Sequence, residues 1–184
     1  MKKLMVVASF SMLASAFAQA QTEQEQTGFY VGAGITQVKL SDGAPEPDNY
    51  QLNVGYNFNS NWAAEFQYTD SYSEGDYSYM DEGDLIEGDL SLSSTAIYGV
   101  YRSSGPLYFK AKAGFMDAEA SINERITFEG GETMSGSGSG SESGWAAGVG
   151  AGYRFGPASV ELEYTTTEND LDIDFTAISF NYAF

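Results

Sequence analysis

The chain has 184 residues, room for one ordinary domain, with 26 acidic residues against 8 basic ones and neither histidine nor cysteine. A net charge of −18 excludes the basic footprint that nucleic-acid binding needs, so no nucleic-acid partner is expected. Without cysteine there is no disulfide framework and no thiol nucleophile, and without histidine the commonest acid–base group near neutral pH is missing.

The first 20 residues stand apart. Lys2 and Lys3 make a basic start, Leu4 to Ala18 is mostly apolar, and Ala16-Phe17-Ala18 and Ala18-Gln19-Ala20 are both A-x-A patterns. Residues 1–20 therefore read as a secretory signal peptide cut after Ala20. The alternative, a membrane anchor, is short of the length a spanning helix needs. Loss of two lysines leaves 6 basic residues against 26 acidic ones. Residues 21–27 form a polar leader and residues 28–184 the folded domain. No run of about 18 apolar residues follows, so no spanning helix is predicted. A transmembrane β-barrel is not excluded, because its strands alternate lipid-facing and lumen-facing residues.

Gly28 to Leu40 opens the domain, with Phe29, Val31, Ala33 and Ile35 on one face and Gly32, Gly34 and Thr36 on the other. That is the period of a strand. Ser41 to Asp48, with Gly43, Pro45 and Pro47, is a loop. Tyr50 to Phe58 alternates again, Asn59-Ser60-Asn61 turns, and Trp62 to Tyr68 returns with Glu65 and Gln67 opposite its apolar face. Ser71 to Asp89 is expected to be a long acidic loop, with eight carboxylates and no base from Asp70 to Asp89.

Leu90 to Arg102 is the next strand. Leu90 and Leu92 set one register while Ile97 and Tyr101 suggest the other, and a β-bulge between them would reconcile the two. Ser103 to Pro106 turns. Leu107 to Phe115 puts Lys110 and Lys112 opposite its apolar face, and the strand runs on toward Ile122. In the long loop expected next, Ser135 to Gly144 is nearly pure Ser/Gly and reads as flexible. Trp145 to Phe155 alternates large residues against Gly148, Gly150, Gly152 and Arg154. Gly156-Pro157 turns, Ala158 to Thr166 carries Glu161 and Glu163 inward, and Leu171 to Phe184 is the last strand. Within it Ile178, Phe180, Tyr182 and Phe184 share one face up to the terminus. Leu171, Ile173 and Phe175 have the opposite parity and would turn Asp172 and Asp174 toward lipid, so the strand should bulge near Thr176 or leave the membrane there.

The pattern predicts an all-β fold, an eight-stranded antiparallel up-and-down transmembrane β-barrel. Three short turns fall on one end and the long connections on the other, which sets both termini in the periplasm of a Gram-negative bacterium. Trp62, Tyr101, Tyr153, Phe155, Tyr182 and Phe184 near the short turns, and Tyr68, Phe115, Trp145 and Tyr164 at the other end, suit two interfacial belts. Outer-membrane lipid is thus the first expected partner, around a monomer.

The stretches Gly28-Phe29-Tyr30-Val31-Gly32-Ala33-Gly34, Gly148-Val149-Gly150-Ala151-Gly152-Tyr153-Arg154-Phe155 and Tyr182-Ala183-Phe184 carry a resemblance. Across the mature chain the sequence resembles the small eight-stranded outer-membrane barrels of the OmpA/OmpX type, including opacity- and adhesin-like members, without a peptidoglycan-binding domain. The resemblance implies an assembly signal at Phe180, Tyr182 and Phe184, read by the barrel-assembly machinery.

Seven charges fall on lumen-facing positions: Glu65, Arg102, Lys110, Lys112, Arg154, Glu161 and Glu163. Counted from the short turns, Glu65, Lys110 and Glu161 lie level, Lys112 and Glu163 one layer higher, and Arg102 and Arg154 lower. Opposite charges on neighbouring inner walls should pair, as a static polar plug or, as the resemblance suggests, a switchable gate. No catalytic, cofactor-binding or metal-binding residue is assigned. Glu161 and Glu163 could mimic an acid/base pair but suit the lysines better, and Asp81-Glu82-Gly83-Asp84 lacks calcium-loop spacing. Tyr72, Tyr77 and Tyr79 could offer a contact surface. The expected role is structural or adhesive, through acidic external loops and an unidentified surface partner. Two alternatives stay open: a narrow or gated ion channel, and a soluble periplasmic ligand-binding barrel.

Overall fold

The computed structural model describes residues 27–40, 47–81, 83–168 and 173–184. The expected signal peptide, most of the expected leader, most of the first loop, Glu82 and residues 169–172 lie outside the described residues.

Nine antiparallel strands follow in order: β1 Gly28–Leu40, β2 Asp48–Asn57, β3 Trp62–Ser73, β4 Gly75–Asp81, β5 Asp84–Arg102, β6 Leu107–Thr127, β7 Thr133–Phe155, β8 Ala158–Glu168 and β9 Ile173–Ala183. Strands consecutive in sequence pair in the sheet except β3 and β4; β3 pairs past β4 with β5, and β1 pairs with β9, so the sheet closes. The ring has eight walls, because β3 and β4 lie end to end along β5. β3 covers Ser94 to Tyr101, and β4 takes over from Asp84 to Leu90. At the junction side chains replace the missing ladder: Ser71 Oγ accepts from Leu92 N (2.8 Å) and donates to Leu92 O (3.0 Å), and Asn49 Nδ2 donates to the same carbonyl (2.7 Å). The Leu92 N–H and C=O are thereby satisfied where the strand breaks.

Pairing fixes the shape. A path across the strands from Gly28 runs through Asn57, Ala63, Val100, Lys112, Gly148, Thr165 and Phe175 and meets β1 again at Val38, ten residues along. A stagger of that size in eight strands corresponds to a tilt of about 40° and an interior that side chains fill.

Alternation then sorts the residues. Val31, Ile35, Leu52, Val54, Phe66, Ile97, Phe109, Val149, Leu162 and Ile178 all point outward and are exposed. Gln51, Asn53, Glu65, Gln67, Lys110, Lys112, Glu161 and Glu163 point inward and are buried. A polar inside and an apolar outside suit a hydrocarbon solvent and would be untenable in water. Rings sit where belts were expected: Trp62 on Tyr101 (5.1 Å between centroids) and Tyr182 on Phe184 (5.3 Å) at the short-turn end, Phe115 on Trp145 (6.2 Å) at the other. The turns are tight. Asn59 Oδ1 accepts from the backbone N–H of Asn61 and of Trp62, both at 2.9 Å, and Gly156 has φ 65°, the left-handed region that glycine enters most easily.

Three expectations are corrected. Ser71 to Asp89 is not a loop, since β4 and the start of β5 form a hairpin there. Ser135 to Gly144 is not a flexible segment: it is strand, paired residue by residue with β6 from Arg125 to Met116. Serine and glycine are weak strand formers alone, but the long partner strand supplies the ladder. β5 has no bulge, because its register with β6 is unbroken from Leu85 to Arg102. Leu90 and Leu92 simply point inward, with Ile97 and Tyr101 outward. Of the two alternatives for β9, the bulge at Thr176 is absent. Ile173 and Phe175 enter the interior, and Asp174 pairs with Thr166, two residues beyond the belt residue Tyr164.

β5, β6 and β7 are 19, 21 and 23 residues long, against the 9–11 that a bilayer needs. With β4 they continue past the belt as an open four-stranded sheet. Among the described residues, this extension carries most of the acidic side chains that lie outside the lumen.

Candidate functional site: the interior charge cluster

Six of the seven predicted lumen charges form one contiguous cluster. Lys110 on β6 is its centre. Its ammonium lies 3.3 Å from Glu65 Oε2, 2.8 Å from Glu161 Oε2 and 2.7 Å from Glu163 Oε1. Arg102 on β5 reaches Glu161 Oε1 at 2.9 Å and Glu65 Oε2 at 3.3 Å. Lys112 is ion-paired with Glu163 Oε2 at 2.7 Å and donates a hydrogen bond to Gln67 Oε1 at 2.8 Å. Three cations face three carboxylates, so the cluster is neutral. These side chains are at most 8% exposed. A charge stripped of its partners here would face several kcal/mol of desolvation.

The chain places them by strand parity. Positions 102, 110, 112, 161 and 163 share the inward parity of their strands, and Glu65 reaches across from β3. Small residues make the room: Gly148 and Gly150 are the β7 partners of Lys112 and Glu163. The layering differs in one respect from the expectation. Arg102 does not form a lower tier but shares both of its carboxylates with Lys110.

Arg154 stands apart. Among the described residues it makes no ion pair; its guanidinium lies over the Tyr108 ring, 4.9 Å from the centroid, at the short-turn mouth. Three residues missed in the sequence complete the site. Tyr30 donates to Glu65 Oε2 (2.6 Å), Tyr108 donates to Glu161 Oε1 (2.5 Å), and Tyr98 lies under the Lys112 ammonium, 4.5 Å from its ring centroid. The same inward parity that singles out the charges picks out these tyrosines. Tyr30 and Tyr108 fold over Gly55 and Gly152, where any side chain would strike the ring.

The interior changes character along the axis. Beyond the charges lies a polar band, with Thr36 donating to Gln51 (3.0 Å), Gln51 to Asn53 (3.0 Å), and Thr69 and Ser94 bonded at 2.6 Å. Toward the extension the lumen is apolar: Val38, Leu92, Met116, Ala118, Ile173 and Phe175 are at most 2% exposed and form part of one cluster. A small cavity of about 20 Å³ opens at the short-turn end beside Arg102, Arg154 and Glu161, room for about one water.

Each interior glutamate is ion-paired. Among the described residues no set of carboxylates is placed to hold a metal ion, the three glutamates being arranged around an ammonium instead. The terminal aromatics point outward, with Phe180 36%, Tyr182 42% and Phe184 77% exposed. Phe184 N donates to Phe29 O at 3.0 Å, so pairing with β1 reaches the last residue.

A closed antiparallel ring, apolar outside and filled by a balanced ionic cluster inside, defines an eight-walled transmembrane barrel. Residues 8–184 match the family of the outer membrane protein beta-barrel domain, and the chain belongs to that family. Its setting is accordingly the outer membrane of a Gram-negative bacterium, and the soluble periplasmic alternative falls. Solved structures share the fold. Ail, the attachment invasion locus protein of Yersinia pestis, is 20% identical, with 86% of this chain and 99% of that one covered and a TM-score of 0.55. Neisserial surface protein A is 16% identical, with 86% and 98% covered and a TM-score of 0.57. OprG of Pseudomonas aeruginosa is 10% identical, with 88% and 97% covered and a TM-score of 0.58. No curated protein matches the sequence.

Proposed function

We propose that this protein is a closed, non-conducting barrel whose work is done outside the membrane, by the acidic sheet that β4 to β7 raise above it. The observation that carries this reading is the division of the structure: the lumen is filled, while the three longest strands extend well beyond the bilayer. An open aqueous path would have to cross both the ion-paired cluster and the apolar layer of Leu92, Met116, Ile173 and Phe175. Water and ions are excluded from such a constriction on both counts. The ion-channel alternative therefore loses its motive, and the carboxylates act as structural ion-pair partners rather than acid–base catalysts.

The short turns and both termini face the periplasm, and the sheet faces the exterior. Phe180, Tyr182 and Phe184 are the segment that the barrel-assembly machinery reads, and the barrel works as a monomer. A surface-interaction role is in keeping with relatives named for attachment and for the cell surface. The chemistry of the contact is this chain's own. Ail has been crystallised with the heparin analogue sucrose octasulfate. The acidic sheet here would repel such a polyanion.

The test compares cells displaying the full protein with cells displaying a version whose β6–β7 hairpin is cut back to the belt. The full protein should confer binding to a protein-coated surface that the shortened one does not. Equal behaviour of two well-assembled barrels would overturn the reading.

A further inference from the structure

The extension has two edges of different kind. β4, the first, is seven residues long and carries Asp76 and Asp81. β7, the second, is longer and nearly bare. It pairs with β6 from Thr133 to Tyr153, but β8 reaches it only as far as Trp145. From Thr133 to Gly144 it therefore has one paired side among the described residues.

Its backbone direction follows from the ladder. Arg154 N donates to Pro106 O at 2.7 Å, so even-numbered residues of β7 face β6. The register is unbroken, so Ser135, Ser137, Ser139, Ser141 and Ser143 turn their N–H and C=O groups to the free side. Nothing blunts this edge: it has no proline, no bulge, and Glu142 as its one charge. Residues 131–141 are all exposed. At Gly136, Gly138 and Gly140 no atom lies within 4 Å of where a Cβ would stand. A groove of about 600 Å³ beside this edge is lined by Glu87, Asp89 and Arg125 as well as Ser135 and Ser137.

Charge selects the occupant. Over the described residues of 74–93 and 117–142 the extension carries twelve carboxylates against one base, Arg125. A second copy would bring two such sheets together and be repelled.

We propose that the free edge of β7, Thr133 to Ser143, is a docking site for an extended, positively charged segment of another protein, which adds to the external sheet as a fifth strand. The proposal rests on the surface-interaction reading above. Main-chain bonds to the odd-numbered serines supply the attachment, and basic side chains on the inner face of the added strand meet Glu124 and Glu142 across the glycine strip.

The full mature chain in lipid nanodiscs is titrated with a short synthetic peptide of alternating lysine and valine, and with its glutamate-for-lysine counterpart. The cationic peptide should bind one to one, weaken as salt rises, and slow hydrogen exchange at Ser135 to Ser143. Ser137→Pro with Ser139→Pro removes two free-side donors without touching the β6 ladder, and should weaken binding by about tenfold or more. Correct assembly of that variant is checked by its heat-modifiable gel migration. Equal binding of the anionic peptide, unchanged affinity in the proline variant, or protection of the same amides by self-association without peptide would each overturn the proposal. If the proline pair leaves cell-surface binding intact while cutting back the hairpin abolishes it, the edge assignment falls and the broader reading stands.

Discussion

The ammonium of Lys110 stands 2.8 Å from a carboxylate oxygen of Glu161, and each side chain is 1% exposed. Among the described residues, Lys110 is the one cation that touches all three interior glutamates. Lys110→Met would leave three carboxylates facing two cations in a buried site. We expect a loss of about 3–5 kcal/mol in urea unfolding from micelles, the usual cost of breaking a buried ionic arrangement from one side. Lys110→Met combined with Glu161→Gln restores the charge balance and should recover part of that loss, a coupling that a double-mutant cycle measures.

Gly152 and Tyr108 are linked by space rather than charge. The Tyr108 ring occupies the volume a side chain at position 152 would need, and its hydroxyl donates to Glu161. Gly152→Val should expel the ring, remove that hydrogen bond and cost about 1–3 kcal/mol, the penalty of a buried acceptor losing its donor. Tyr108→Phe, which keeps the ring, should cost less than Gly152→Val in the same unfolding assay.

Topology across the membrane is open to direct labelling, because the chain has no cysteine of its own. In intact cells a membrane-impermeant maleimide should label Ser139→Cys on the extension and leave Asn59→Cys in the short turn unlabelled. The reverse pattern would invert the orientation.

Outside the bilayer, Tyr77 gives the extension a pH limit. Burial, then the neighbouring Glu124 carboxylate, which accepts its hydroxyl at 3.3 Å, raise the Tyr77 pKa above the ordinary tyrosine value. A raised pKa means that the folded hairpin favours the protonated phenol. Its contribution is complete below the unfolded tyrosine pKa near 10 and is lost as pH climbs through the higher folded value. Exchange protection of β4 and the start of β5 should therefore fall at strongly alkaline pH in the native chain and fall less in Tyr77→Phe.

Within the wall, alternation alone was enough to read the barrel. Phe29 to Ile35, Tyr50 to Phe58 and Trp145 to Phe155 keep one face for lipid, and the same parity located the charges of the cluster. Parity also held the clue to Tyr30 and Tyr108, overlooked because a tyrosine fits a belt as readily as a lumen. Above the belt the rule inverts. Leu90, Leu92, Ile173 and Phe175 point inward because the outside is water again and the lumen is apolar, so a continuous strand looked like two registers that needed a bulge. Ser135 to Gly144 looked like a tether because its strand character comes from β6, a long-range partner that local composition does not reveal.

The central claim is that the barrel is shut, and single-channel recording tests it most directly. Protein reconstituted in planar bilayers should show no steady unitary conductance. Lys112→Ala should also stay silent, because the apolar layer of Leu92, Met116, Ile173 and Phe175 still closes the lumen. Conduction should need that layer made polar as well as the cluster cut. A steady conductance in the wild-type protein that Lys112→Ala abolishes would contradict the account.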